Sequence, residues 1–461
     1  MTGTAAEPGL LARAADATDI DAEAFAERRE RLMQQLGEDA AAVFVGASEA
    51  RRNGDVDHEF RQTSTFHYLT GFDEPDAVCL LRPGAEEPYM LFVRPRDLDQ
   101  ELWLGPRAGV EGAVDDFDAD AALPNDDLEE ALPELLEGAE SLHYSLAPAE
   151  GLGGLAGRVQ EALLGAVAHG RAASVRGPQP IERVLDPFPL VSELRLRKEP
   201  AEVEALRRAV DITGAGIERA MRVARPGLHE YEVQAELEAE YRRLGSPRNA
   251  FPSIVATGAN ACTLHYVTNR ARIVEGDLLL VDTGAEVDFY GADVTRTFPA
   301  GGRFSAPQRA IYELVLAAQR AGIEAVAPGV RFHEVHDAAV RTLAAGLLEL
   351  GLVEGELEQI VEGDVVRAYY PHSTSHWLGL DVHDVGRYRF GEESVALEPG
   401  MVLTVEPGLY IRLDAVAAPA QYRGIGVRIE DDVLVTETGY DVLSAAIPSD
   451  PDELERIVAG G

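Results

Sequence analysis

The sequence predicts an α/β (α+β) protein of two domains: an N-terminal α/β domain over residues 1–188 and a pseudo-twofold domain over residues 189–461. Three observations predict this. Short apolar runs bounded by glycine, proline and charge alternate with helical stretches through the first part, the pattern of strands and helices sharing one sheet. The phrase DPFPL, with two prolines, interrupts the chain near residue 188. Beyond it, one phrase recurs at a fixed spacing, as a duplicated unit does.

In order along the chain, residues 26–36 form a charged amphipathic helix, and AAAVFVGA (40–47), AVCLLRP (77–83) and PYMLFVRP (88–95) are short buried strands. Helices follow near 128–138 and 155–169, and the acidic stretch 113–130 is an exposed loop leading into a helix. GLGGLAG (151–157) has imperfect spacing for a nucleotide loop and follows Pro148, so it is a plain turn. Pro200 opens a helix with Val203, Leu206, Val210, Ile217 and Met221 on one face. Pro226-Gly227 then matches Pro328-Gly329 and Glu232-Val233 matches Glu334-Val335, each at an offset of 102 residues. Chance similarity is the competing reading of this repeat; a duplication places a site between two halves.

Composition narrows the function. The 461 residues carry 80 Asp and Glu against 41 Lys and Arg, a net charge of −39, so nucleic acid and anionic membrane are not expected partners. The excess acid is either a solvated surface or an adaptation to high salt, where screening relieves self-repulsion. Lys198 is the only lysine. Two cysteines, Cys79 and Cys262, build no disulfide framework and fit a cytoplasmic setting. No signal peptide is read in the first residues, and no apolar run is long enough for a spanning helix.

The chemistry-bearing residues lie in the second domain. In LLLVDTGAEVDFYGADVTRTF a hairpin turning at Val287-Asp288 makes Asp282 and Asp293 direct cross-strand partners. Two carboxylates facing each other beside LLLV repel unless a cation lies between them; unrelated acids on a wet hairpin are the alternative. Glu406 ends the alternating run GMVLTVE, and Arg428 and Glu430 share one face of GVRIEDD. His372, His376 and His383 cluster in YYPHSTSHWLGLDVHDVG, while His333 and His336 on the repeat helix are left as surface residues. Oxygen ligands with one imidazole and no clustered thiolate suit Mn²⁺, Co²⁺, Fe²⁺ or Zn²⁺, and four carboxylates can bridge two such ions. Cys262 near His265 is read as a small buried residue rather than a nucleophile.

Asp282-x10-Asp293, SHWLGLDVHDVG, TVEPGLY and GVRIED together resemble the pita-bread metallopeptidases, and within them the Xaa-Pro aminopeptidases. FRQTSTFHYLTGFDEPDAV (60–78) and RDLDQELWLGPR (96–107) resemble that family's amino-terminal domain, so the likeness runs from about residue 26 to residue 445. The resemblance implies two divalent metal ions, manganese foremost, held by Asp282, Asp293, His376, Glu406 and Glu430. It makes Asp293 and Glu430 the bridging ligands, with Asp282 on one ion and His376 and Glu406 on the other. Glu406 is then also the proton shuttle, His265, His372 and His383 stand on the substrate side, Arg428 lies beside the bridging glutamate, and Tyr410 belongs to EPGLY. Trp103 is either a further wall for proline, reaching across a subunit boundary, or an ordinary core tryptophan.

The implied activity removes the first residue from peptides with proline second, in a cytoplasmic homodimer or homotetramer. Prolidase, a dipeptidase of the same fold, is the nearest alternative; the short stretch IRLDAVAAPAQYRG (411–424) lacks the long insertion of some larger prolidases. A non-catalytic pita-bread binding module is the alternative from another class.

Overall fold

The computed structural model describes residues 20–146, 154–173, 180–363 and 365–460. The amino-terminal segment read for a signal peptide and the first residues of the glycine-rich run lie outside the described residues; Gly154 opens the helix Gly154–Ala173. Contacts divide the chain into two units, 20–194 and 195–461 among described residues.

The first unit is built on a six-stranded mixed sheet in the order Ala121–Pro124, Tyr89–Val93, Val78–Leu81, Ala40–Val45, Ser141–His143, Arg183–Leu185. The three apolar runs expected as strands form its centre because both faces are covered; Val43, Val78, Leu80 and Phe92 join Leu128, Leu132 and Val159 of the flanking helices in one core. The acidic stretch 113–130 is not simply a loop, since Ala121–Pro124 pairs parallel to Tyr89–Val93 as an edge strand. An edge needs ladder bonds on one side only, so a short half-buried run ending in proline is tolerated there.

The second unit opens with two packed helices, Pro200–Val223 (α1) and Glu230–Arg243 (α2). Strand Ile254–Thr257 (β1) pairs with Leu278–Thr283 (β2). The short strands Ala285–Val287 (β3) and Tyr290–Gly291 (β4) form a hairpin, and Val294–Pro299 (β5) returns against β2. The helices Ala306–Glu324 (α3) and Phe332–Glu349 (α4) then repeat the helix pair. Strands Val402–Val405 (β6), Gly408–Ile411 (β7), Ile425–Arg428 (β8), Asp431–Val435 (β9) and Tyr440–Val442 (β10) complete the second half.

The repeat read from sequence is structural. Gly227 and Gly329 both have positive φ before the second helix of each pair, α2 and α4. His229 and Arg331 cap those helices in matching capping boxes, and each makes an isolated bridge to a later segment, Arg272 and Ala396.

Candidate active site

Each half contributes an interrupted hairpin. In the first, β2 and β5 pair Asp282 with Thr295, and β3 and β4 continue the same register, Glu286 with Gly291. The turn falls on Asp288-Phe289, both with positive φ, not on Val287-Asp288. The expected direct pairing of Asp282 with Asp293 is therefore corrected: Asp293 is the diagonal neighbour of Asp282 on the same face. Gly284 breaks the ladder between β2 and β3, and a Cβ there would lie 1.7 Å from the Ala292 carbonyl oxygen. The break leaves Asp293 outside the strands, its amide bonded at 3.1 Å to Asp432 Oδ2.

In the second half, β6 and β9 pair Val405 with Asp431, and β7 and β8 pair Gly408 with Arg428 in the same register. That register sets Glu406 opposite Glu430 at the interruption. Glu430 binds across to the first half, its N–H to the Thr295 carbonyl at 3.1 Å and its Oε2 to Thr295 Oγ1 at 2.6 Å. The two hairpins thus meet edge to edge, with their carboxylates gathered where the ladders stop.

Asp293, His376 and Glu430 each offer a ligand atom, all within 4.8 Å of one another. His376 Nε2 lies 3.3 Å from Asp293 Oδ2 and 3.5 Å from Glu406 Oε1. Its Nδ1 lies 3.0 Å from the Trp377 carbonyl, so Nδ1 carries the proton and Nε2 is free to ligate. Asp282 Oδ2 accepts from Arg428 Nη2 at 2.5 Å, while its Oδ1 is buried without a hydrogen-bond partner. All five expected ligands therefore converge, three as one tight group with Asp282 and Glu406 flanking it.

The electrostatics fit a cation. Burial, then the nearby carboxylates, raises the pKa of Asp293 and of Glu430 well above the usual range. Burial pushes Glu406 up to about 8, with Asp293 and Asp282 adding to the rise and His376 and Arg428 opposing it. Four crowded acids and an orphaned buried oxygen are what a site shaped for positive charge presents.

Arg428 divides its donors among Asp282, Tyr410 (2.9 Å from Nη1) and Thr295 (3.2 Å from Nε). The Tyr410 hydroxyl in turn lies 2.8 Å from His372 Nε2. Burial and the Arg428 charge hold His372 down at about 3, so it is neutral and its Nε2 accepts from Tyr410. His383 packs edge-on to His376 with ring centroids 4.3 Å apart, and burial and that neighbour lower its pKa.

A cavity of about 890 Å³ holds these groups. His265, His372 and His383 line it with all five acid and imidazole ligands, and Phe251, Val382 and Tyr388 supply apolar wall. His333 and His336 line it too; His333 is surface-exposed, as read, while the surface reading of His336 is corrected: its Nδ1 is 2.8 Å from Thr374 Oγ1, and Thr374 also meets Tyr370 OH. Their place on the cavity side of α4 depends on how the repeat folds back, which no local pattern shows. Cys262 is not lining this cavity, and burial pushes its thiol up to about 11, unfit for a nucleophile. Trp103 belongs to the first unit, on the helix Leu98–Leu104, and is 82% exposed, so the core reading of it is excluded.

Known proteins carry the same design. Residues 204–437 match the sequence profile of metallopeptidase family M24, and residues 25–144 that of the aminopeptidase P N-terminal domain. The chain is 39% identical to the Xaa-Pro aminopeptidase of Escherichia coli, over 96% of this chain and 98% of that one. It is 34% identical to mouse Xaa-Pro aminopeptidase 3, over 94% of this chain and 85% of that one. Among solved structures, Pseudomonas aeruginosa aminopeptidase PepP superposes with a TM-score of 0.93 at 44% identity, covering 96% of this chain and 99% of that one. A zinc-substituted E. coli aminopeptidase P in complex with product superposes with a TM-score of 0.91 at 38% identity, covering 96% and 99%.

Proposed function

The chain belongs to metallopeptidase family M24, and from that premise we propose that it is a metal-dependent Xaa-Pro aminopeptidase, releasing the first residue of peptides whose second residue is proline. The observation that carries the reading is the group Asp293, His376 and Glu430 on the wall of a cavity shared with Asp282 and Glu406. All five residues would hold two divalent ions, manganese in first place. When bound, such ions supply Lewis acidity to a water molecule and to the scissile carbonyl.

The protein's own residues do the rest. Glu406, on the cavity wall 3.6 Å from His372, would take a proton from the attacking water and return it to the leaving proline nitrogen. His383, on the cavity wall, would donate an imidazole N–H to the carbonyl oxygen as charge develops on it. His372, neutral and fixed by Tyr410 and Arg428, orients the substrate beside Glu406, 3.6 Å away. The carboxylates receive the peptide's ammonium group, and His265, Val382 and Tyr388 wall the proline ring.

Membership of the aminopeptidase P group, with its N-terminal domain, supports peptides over dipeptides alone as substrates. The cytoplasm is the proposed compartment, consistent with two free thiols at Cys79 and Cys262. No described helix is long and apolar enough to cross a membrane. A homodimer or homotetramer is the proposed assembly, supported by the exposed apolar row Leu98, Leu102 and Trp103.

The test supplies the chain with Mn²⁺ and compares Xaa-Pro-Yaa tripeptides with Xaa-Pro dipeptides. Release of the first residue from tripeptides supports the reading. Cleavage of dipeptides alone makes the chain a prolidase, and no cleavage of either makes it a binding module.

A further inference from the structure

Lys198, the only lysine of the chain, is buried, and its Nζ donates to Asp384 Oδ2 at 2.9 Å. Arg195 Nη2 donates to the other oxygen, Oδ1, at 2.5 Å and to Asp381 Oδ2 at 2.8 Å. Burial alone would raise the Asp384 pKa, yet Lys198 and Arg195 hold it below the usual carboxylate range. Ion clusters this deep cost much desolvation and are weak contributors to stability, so the cluster's place in the fold matters more than its existence.

That place is the loop behind the reacting histidines. Asp384 directly follows His383, and its N–H bonds the Trp377 carbonyl at 2.9 Å. The same carbonyl accepts Nδ1–H of His376 at 3.0 Å and thereby turns Nε2 toward Asp293 and Glu406. Gly379 sits against the cluster, where an added Cβ would lie 2.2 Å from Asp384 Oδ2 and 2.9 Å from Lys198 Cε. Its carbonyl accepts the Gly291 N–H at 2.9 Å, two residues before Asp293.

We propose that Lys198 and Arg195, acting through Asp384, are positioning residues that fix the His376 and His383 imidazoles for the reaction. Neither is among the residues that line the cavity, so their effect on it passes through the loop. Gly379 leaves room for the Lys198 stem, since a Cβ there would lie 2.9 Å from Cε, and a planar guanidinium in place of the ammonium would present its donors in a different geometry to Asp384. The chain uses arginine at every other strongly basic position and keeps lysine here.

The proposal rests on the aminopeptidase reading, and the experiment separates the two. Wild-type protein is first assayed on Xaa-Pro-Yaa peptides; no turnover there removes the activity reading itself. Lys198→Met and Lys198→Arg are then compared with Arg197→Met, which removes the half-exposed pair of Arg197 with Glu398 and leaves Lys198, Arg195 and Asp384 in place. Both Lys198 variants are expected to lower kcat by ten-fold or more with KM changed less than three-fold. Calorimetry on the metal-free protein is expected to show Mn²⁺ affinity reduced at least five-fold, while Arg197→Met matches wild type. Should Lys198→Met not fold, Lys198→Arg, which keeps the charge, decides alone. Folded Lys198→Arg with kcat and Mn²⁺ affinity within two-fold of wild type overturns the proposal. Failure of Lys198→Arg to fold also overturns it, because the pair is then a folding element.

Discussion

Asp282 gives one carboxylate oxygen to Arg428 at 2.5 Å and keeps the other buried with no hydrogen-bond partner. The bonded oxygen fixes the rotamer, and the free one is left available in the cavity shared with Asp293 and Glu430. Arg428 therefore orients a ligand while being itself tied to Tyr410 and Thr295.

A lysine at position 428 keeps the charge but cannot span three acceptors that a planar guanidinium reaches at once. Arg428→Lys is expected to lower kcat by roughly 10²-fold, the scale of losing one preorganised electrostatic contact. Because Tyr410 then loses its donor, His372 is freed as well and KM rises. Steady-state kinetics on an Xaa-Pro-Yaa peptide, at equal metal content, checks this; a kcat within three-fold of wild type contradicts it.

Asp293 lies against three other members of the candidate centre, His376, Glu430 and Asp282. Its replacement by alanine is expected to abolish turnover and to reduce bound metal measured by elemental analysis. Chelation of the wild type should remove activity reversibly, with Mn²⁺ restoring it. Undiminished turnover after either treatment rules out a metal-dependent peptidase.

Much of this centre was legible in the sequence because each acid interrupts or ends an apolar alternating run, where an unpaired charge is costly. Glu406 after GMVLTV and Glu430 after GVRI are of that kind, and both fall where a ladder breaks. The turn position was not legible. Asp288 and Phe289 adopt positive φ without a glycine to announce it, so the expected register slipped and Asp282 was paired with Asp293 instead of Thr295. His336 was also missed, since its role depends on a bond to Thr374, remote in sequence. The 102-residue offset, by contrast, survives as paired capping boxes and paired bridges, because helix caps are written locally.

The raised carboxylates give the metal-free protein a pH dependence of definite sign. Asp293, Glu406 and Glu430 hold protons in the folded state to higher pH than the roughly 4–4.5 of an unfolded chain, Glu406 to about 8. Between these limits the native state binds more protons than the unfolded one, so stability falls as pH rises. The metal-free Tm is expected to be higher at pH 5.5 than at pH 8. Added Mn²⁺ competes with those protons, so the Tm gain it produces should be larger at pH 8. An equal gain at both values contradicts the carboxylate assignment.

The exposed helix Leu98–Leu104 presents Leu98, Leu102 and Trp103 at 78%, 81% and 82% exposure. A soluble monomer rarely leaves such a row uncovered. Light scattering is expected to find a dimer or tetramer for the wild type and a smaller species for Leu102→Glu combined with Trp103→Glu. If the assembly size is unchanged, this helix is not the contact.

The net charge of −39 is far larger than the proposed site requires, since two divalent ions would offset its four carboxylates and leave most of the excess. The remaining excess must repel itself across the surface, and added salt relieves it in one of two distinguishable ways. Simple screening is nearly complete once the Debye length falls to about 3 Å near 1 M salt, so Tm should climb below that concentration and then level off. A surface adapted to high salt keeps gaining stability beyond it, because carboxylate-bound water and cations contribute after screening is exhausted. With wild-type protein loaded with Mn²⁺, Tm measured from 0.1 to 3 M KCl is expected to rise throughout, with activity retained at the upper end. A plateau below 1 M leaves an ordinary solvated surface, and equal stability at all concentrations removes the salt adaptation altogether.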